Sequence, residues 1–249
     1  MRIKPATYCF LATLLFVSCE APQTTGVRYP TGASSRGPDV WGHRPGPRGF
    51  TEVVVDAGHG GQDSGAVSPI TGTREKDAAL DVAHRLQAAL GGRFSTSMIR
   101  SGDYFVDLDE RVHMANQHRD GVLVSVHFNS SASHLHGPEV YYWRVDSYGL
   151  AKHVYNSVRG MFGDTSSRGL VRRRIRLTRN PEIPCILVEC GYLTNGSEAQ
   201  RINDPGFRQG IAQSIASAIR QQAEEGDGNI GPLPPPIFAP PSRPTDPKE

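Results

Sequence analysis

The chain has 249 residues but only four cysteines, a net charge of just +2, and no apolar run long enough to cross a bilayer as a mature helix. A near-neutral balance gives no reason to expect nucleic acid, whose partners carry a much larger basic footprint. Two of the cysteines, Cys9 and Cys19, fall in the first nineteen residues. The other two, Cys185 and Cys190, are five positions apart on an apparently extended segment, hence roughly 17 Å apart at about 3.3 Å per residue. That is too far for a disulfide, and the spacing gives no zinc ribbon. Both are expected to be buried thiols. No internal repeat is visible.

The ends of the chain are unlike its middle. Arg2 and Lys4 precede a short apolar stretch from Tyr8 to Val17, the pattern of an export signal over residues 1 to 19. It ends in Phe16-Val17-Ser18-Cys19, which resembles the lipobox of lipoprotein signals except that Phe16 stands where leucine is preferred. An ordinary signal peptide with an incidental cysteine is the alternative. Either way the protein is expected outside the cytoplasm, in the cell envelope or periplasm. Lipid on Cys19 would be its one link to a membrane. Because Glu20 does not resemble an inner-membrane retention signal, the outer membrane is favoured. Residues 20 to 50, with five prolines among Gly, Ser and Thr, read as a linker, and residues 224 to 249, Pro-rich, as a disordered tail. One folded domain is expected between them, from 51 to 223, and a monomer.

Inside those bounds apolar strands alternate with amphipathic helices. Strands are expected at Glu52 to Asp56, Phe94 to Arg100, Gly121 to Phe128, Glu139 to Trp143, Arg174 to Thr178 and Cys185 to Glu189. Helices are expected at Lys76 to Leu90, Leu108 to Gln117, Ser147 to Phe162 and Gly206 to Gln222. Such alternation implies crossover connections. The fold class is therefore α/β, a three-layer α/β/α sandwich with a mostly parallel central sheet, phosphorylase/hydrolase-like. In such sheets reactive groups collect beyond the carboxyl ends of the strands.

Three strand ends carry chemistry. His59 follows the first strand in DAGHGGQDSG, His127 ends VLVSVHFNS, and Glu189 ends CILVECG. Catalytic zinc takes three protein ligands from imidazole and carboxylate and keeps one open position. His59, Glu75 and His127 would supply that set, and Gly58, Gly60 and Gly61 would let the backbone turn and leave the open face clear. Each residue alone has a plainer reading: a satisfied polar histidine, or, for Glu75, a carboxylate favoured in the first turn of a helix. Glu189 is harder to dismiss, because a carboxylate at the end of a buried run is costly unless paired or used.

VVVDAGHGGQDSGA, REKDAALDVAHRL, SVHFNS and PCILVECGYLTN, in that order, resemble the motifs of the zinc-dependent N-acetylmuramoyl-L-alanine amidases of the type-3 family. SGDYFVDLDERVHMAN and GPEVYYW agree as well, so the resemblance runs from about Val53 to Ile219. It implies one zinc ion on His59, Glu75 and His127, Glu189 as the catalytic carboxylate, and peptidoglycan as substrate, cut between N-acetylmuramic acid and the L-alanine of the stem peptide. Some similar proteins carry a long inhibitory helix between the second histidine and the catalytic glutamate; the 62 positions here (189 − 127) leave no room for one. Other roles are open. Asn129 could touch substrate or cap a strand. Asp56 and Asp63 could support the site, though aspartates commonly just form turns. His84, His113 and His118 are expected at the surface or in packing; His134 and His136 are expected in a solvent-exposed loop, with a substrate-groove role as the alternative, and the run Arg172, Arg173, Arg174 and Arg176 on a solvated strand edge, with contact to acidic wall components as the alternative. Two other functions compete: another envelope zinc amidohydrolase or peptidase, and a non-catalytic peptidoglycan-binding lipoprotein.

Overall fold

A computed structural model describes residues 46–131, 134–228 and 230–234. The export signal, Cys19, the linker up to residue 45 and the tail from residue 235 lie outside them. Six strands form one sheet: β1 (Glu52–Ala57), β2 (Ser95–Met98), β3 (Gly121–Asn129), β4 (Glu139–Tyr142), β5 (Leu170–Arg172) and β6 (Cys185–Tyr192). Their order is β2-β1-β3-β6-β4-β5. Every neighbouring pair is parallel except β4 and β6. The central β1, β3 and β6 are buried on both faces, as near-continuous runs such as Val53-Val54-Val55 and Ile186-Leu187-Val188 require.

Helices α1 (Glu75–Leu90), α3 (Tyr148–Arg159) and α6 (Pro205–Glu225) cover one face, α1 and α3 each packing on α6. Val82, Leu86 and Leu90 of α1 point into that layer with Val55, Val124 and Ile219. The other face carries the shorter α2 (Leu108–Ala115) and α4 (Arg176–Arg179), over Val54, Leu123 and Cys185. The three layers match the expected architecture. Cys185 and Cys190 are free and fully buried. Among the described residues between His127 and Glu189, the one long helix is α3, and it is part of the sheet's own cover.

Three expectations need correction. Residues 174 to 178 are not a strand: the strand is Leu170–Arg172, and Arg176 begins the single-turn α4. Alternation in RIRLT imitates a strand, but the chain turns at Ile175, where Thr178 Oγ1 donates to Arg173 O at 2.9 Å. Helix α5 (Gly196–Asn203) was not foreseen, although Asn195 announces it by accepting from the backbone of Ser197 and Glu198. Finally, the folded unit passes the bounds 51 and 223 at both ends. Phe50 is buried and stacks on Phe94 at 5.7 Å, Gly49 N donates to Ala223 O at 2.8 Å, and Arg48 Nε donates to Glu224 O at 2.8 Å. Beyond α6, Ile230 is buried and its carbonyl takes Lys152 Nζ at 2.5 Å. These short flanks lie against one another on the α3–α6 side of the domain.

Candidate metal centre

His59 and His127 extend from the ends of β1 and β3, and Glu75 is the first residue of α1, which crosses above them. Glu75 is the hub. Its Oε1 lies 3.0 Å from His59 Nε2 and accepts from His127 Nδ1 at 2.9 Å and from Phe128 N at 3.1 Å. Its Oε2 accepts from Ala66 N at 2.9 Å. The two imidazoles meet edge to face at 4.9 Å, and the three ligand atoms lie within 4.8 Å of one another. Two imidazole nitrogens and one carboxylate converging on a point, with solvent reaching His59, fit the donor set of a catalytic zinc.

One carboxylate between two imidazoles sets the electrostatics of the cluster. Burial alone would depress the charged form of His59, but the hydrogen bonds and charges of Glu75 and Asp63 outweigh it and push the ring up to about 9. Burial would raise Glu75; the two histidines override it and hold its carboxyl well below the usual carboxylate range. A carboxylate anion is thus fixed between two rings. His59 Nδ1 donates to Asp63 Oδ2 at 2.8 Å, which orients the ring and leaves Nε2 aimed at the centre. Asp63 thus does both things expected of it: it holds the His59 ring, and its Oδ1 accepts from Gly65 N at 3.0 Å as a turn former does. His59 also has φ of 60°, the one positive value outside glycine among the described residues, a strained backbone at the point of chemistry.

Two buried arginines hold that loop. Arg111 donates to Asp56 Oδ1 at 2.5 Å, to Ala57 O at 2.8 Å and to His59 O at 2.6 Å. Arg100 donates to Ala57 O at 2.8 Å, Gly58 O at 2.7 Å and Lys76 O at 2.8 Å, so it also ties the loop to the start of α1. Three successive carbonyls, 57 to 59, are thereby satisfied in a place where neither sheet nor helix can serve them. Asp56, completed by Ser125 Oγ at 2.6 Å, anchors Arg111 rather than the metal. The glycines answer to crowding more than to openness: a Cβ on Gly58 would lie 2.3 Å from the His127 ring, and Gly60 and Gly61 lie against the backbone of Tyr104 and Phe105.

Glu189 reaches the site by register. It pairs with His127 across β3 and β6, and in-register neighbours on adjacent strands point to the same face. Immediately afterwards the register slips, Asn129 pairing with Tyr192, and Gly191 at φ 126° absorbs the bulge. On its other side Glu189 pairs with Glu139 of β4. Glu139 is fully buried and accepts from Tyr192 Oη at 2.5 Å, Asn129 Nδ2 at 3.3 Å, Tyr141 Oη, and Arg168 Nη2 at 2.8 Å. Sequence reasoning missed this network, although GPEVYYW places a glutamate two residues before a tyrosine. Asn129 serves Glu139.

The remaining candidates stand apart. The metal cluster contains none of His84, His113, His118, His134 or His136; His136, for example, bonds Ser166 Oγ at 2.9 Å. Arg172 packs over Trp143 at 5.5 Å, and Arg176 pairs with Asp109.

Comparison with known proteins gives the chain a family. The profile of the family described as N-acetylmuramoyl-L-alanine amidase matches residues 53–221. The chain belongs to the N-acetylmuramoyl-L-alanine amidase family. It is 31% identical over 169 residues to the N-acetylmuramoyl-L-alanine amidase LytC of Bacillus subtilis, covering 66% of this chain and 34% of LytC. Among solved structures, the amidase AmiC2 of Nostoc punctiforme is 34% identical with a TM-score of 0.65, over 70% of this chain and 97% of that one. The catalytic domain of CwlV from Bacillus (Paenibacillus) polymyxa var. colistinus is 34% identical with a TM-score of 0.66, over 69% and 97%. The chain thus spans about a third of LytC and nearly all of the two solved chains. As a member of the family it is a peptidoglycan amidase, a hydrolase acting on the cell wall.

Proposed function

We propose that this chain binds one zinc ion through His59 Nε2, Glu75 Oε1 and His127 Nδ1, and hydrolyses the amide between N-acetylmuramic acid and L-alanine with Glu189 as general base and acid. The observation that carries the reading is convergence: three ligand atoms within 4.8 Å, and Glu189 in register beside His127. Zinc bound there would polarise the scissile carbonyl and acidify a water molecule.

The protein's own residues do the rest. Glu189 takes the proton of the attacking water and returns it to the departing amine of L-alanine, within reach of both because it stands one strand, about 4.8 Å, from His127. Asp63 keeps the proton of His59 on Nδ1, so that Nε2 faces inward. Arg100 and Arg111 keep the strained His59 backbone from relaxing out of position. Release of stem peptides from glycan strands would serve wall remodelling or cell separation. Lipid on Cys19, holding the domain near the wall, extends the same reading to the chain's N-terminal region, and a monomer suffices because all four residues come from one chain.

The test is digestion of intact peptidoglycan by the full chain with zinc, with mass analysis of the fragments. Free stem peptides beginning at L-alanine, lost with Glu189→Gln and after chelation, are expected. Fragments cut within the peptide, or deacetylated sugars, would move the assignment to another envelope zinc hydrolase. Retained wall binding with no release from the unmodified chain would make it a binding module.

A further inference from the structure

The strand order gives the site a direction. Reading across the sheet, β1 and β3 deliver His59 and His127, β6 delivers Glu189, β4 delivers Glu139, and β5 closes the edge. On the reading above, the scissile carbonyl lies at the His59–His127 end and the leaving amine faces Glu189. The peptide that continues from that amine must then run over β4 toward β5.

Arg168 stands on that path, two residues before β5. Its Nε donates to Glu139 at 3.1 and 3.2 Å, its Nη2 to Glu139 Oε2 at 2.8 Å and to Tyr141 Oη at 2.6 Å, and its own backbone N–H to Glu139 Oε1 at 2.9 Å. The guanidinium is also 5.6 Å from the centre of the Tyr141 ring. Arginine seldom loses so much freedom at a surface, yet this side chain is 54% exposed. Nη1 makes no hydrogen bond among the described residues. Glu139 spreads its charge over two tyrosine hydroxyls and an asparagine besides, so it orients the arginine without using all its donors. A cation held this firmly has lost its ordering cost in advance, and its Nη1 is left to donate to an anion.

We propose that Arg168 is the specificity residue for a free carboxylate on the stem peptide, carried by the residue that follows L-alanine, and that Glu139, Tyr141 and Tyr192 are positioning residues for it. The inference rests on the amidase reading and names the group on the peptide side that the site selects. Lysine could supply the charge but not the planar fork that holds Glu139 and reaches outward at once.

The experiment uses two synthetic N-acetylmuramoyl peptides that differ only in that carboxylate, free in one and amidated in the other, with zinc-loaded full chain and the variants Arg168→Gln and Arg168→Lys. The readout is the ratio of kcat/KM for the acid over the amide. For the unmodified chain a ratio of about ten or more is expected, carried by KM, since one charge-assisted contact is worth roughly a factor of ten or more. Arg168→Gln should bring the ratio near one and Arg168→Lys should leave it in between. A ratio unchanged in Arg168→Gln, including equal losses on both substrates, would overturn the proposal and leave Arg168 a support for Glu139. A ratio of one in the unmodified chain would overturn it too. Failure of the unmodified chain to cut either peptide would overturn the amidase reading beneath it as well.

Discussion

The two flanks of the site are held by different means. On the metal flank, main-chain carbonyls 57 to 59 are gripped by buried Arg100 and Arg111, guanidiniums supplied from the end of β2 and from α2. On the Glu189 flank position follows from strand register, in paired sheet that ends in the bulge at Gly191, with side chains collected around Glu139. The difference follows from where each residue sits. His59 is on a loop with a left-handed residue, so something outside the sheet must fix it, whereas Glu189 inherits its position from β6. A metal ligand tolerates little displacement, and the flank carrying the three ligands is the one with the additional side-chain clamp.

Substitutions can break or sharpen that contrast. The largest effects belong to the central residues. Glu75→Ala should abolish zinc uptake and activity together, measured by metal content and peptide release. Glu189→Gln should retain zinc while kcat falls by about 10² to 10⁴, the span expected for a lost general base. Next comes the arginine clamp. Arg111→Met leaves Asp56 buried and uncompensated and should cost about 3–5 kcal/mol in urea unfolding. Arg168→Met, whose guanidinium is half in water and whose partner keeps four other donors, the N–H of residue 168 among them, should cost about 1–3 kcal/mol. Equal costs would erase the distinction between the flanks. Asp63→Asn should weaken zinc binding about 10- to 100-fold, with stability nearly intact. His113→Ala, at an exposed position on α2, should stay within about 0.5 kcal/mol of the unmodified chain and keep its zinc.

Much of this was legible in the sequence, and the reasons are local. The runs at 53–55, 122–126 and 185–188 are strands whatever surrounds them, and the stripe Ala79, Val82, Ala83, Leu86, Leu90 can only be one helix face. The positions of His59, Glu75, His127 and Glu189 along the chain, at or just past the ends of those elements, follow from them. Nonlocal pairings were not legible. Arg100 reads as the polar end of a strand and Arg111 as a helix surface, yet both are buried because their donors meet carbonyls some forty or fifty residues away in sequence. Glu139 looks like the start of a strand until β4 is known to run antiparallel beside β6. Phe50 falls in a stretch whose prolines suggest a linker, but its ring finds Phe94. The short β5 and α4 were confused because three or four residues carry too little periodicity to separate helix from strand.

The central claim is that one zinc sits between His59, Glu75 and His127, separate from the proton-transfer group. Equilibrium zinc titration of the full chain by calorimetry, beside Glu75→Ala and Glu189→Gln, tests it directly. The account predicts one ion bound by the unmodified chain and by Glu189→Gln with similar affinity, and none held by Glu75→Ala. Tight one-to-one binding that survives Glu75→Ala, or that disappears with Glu189→Gln, would contradict it.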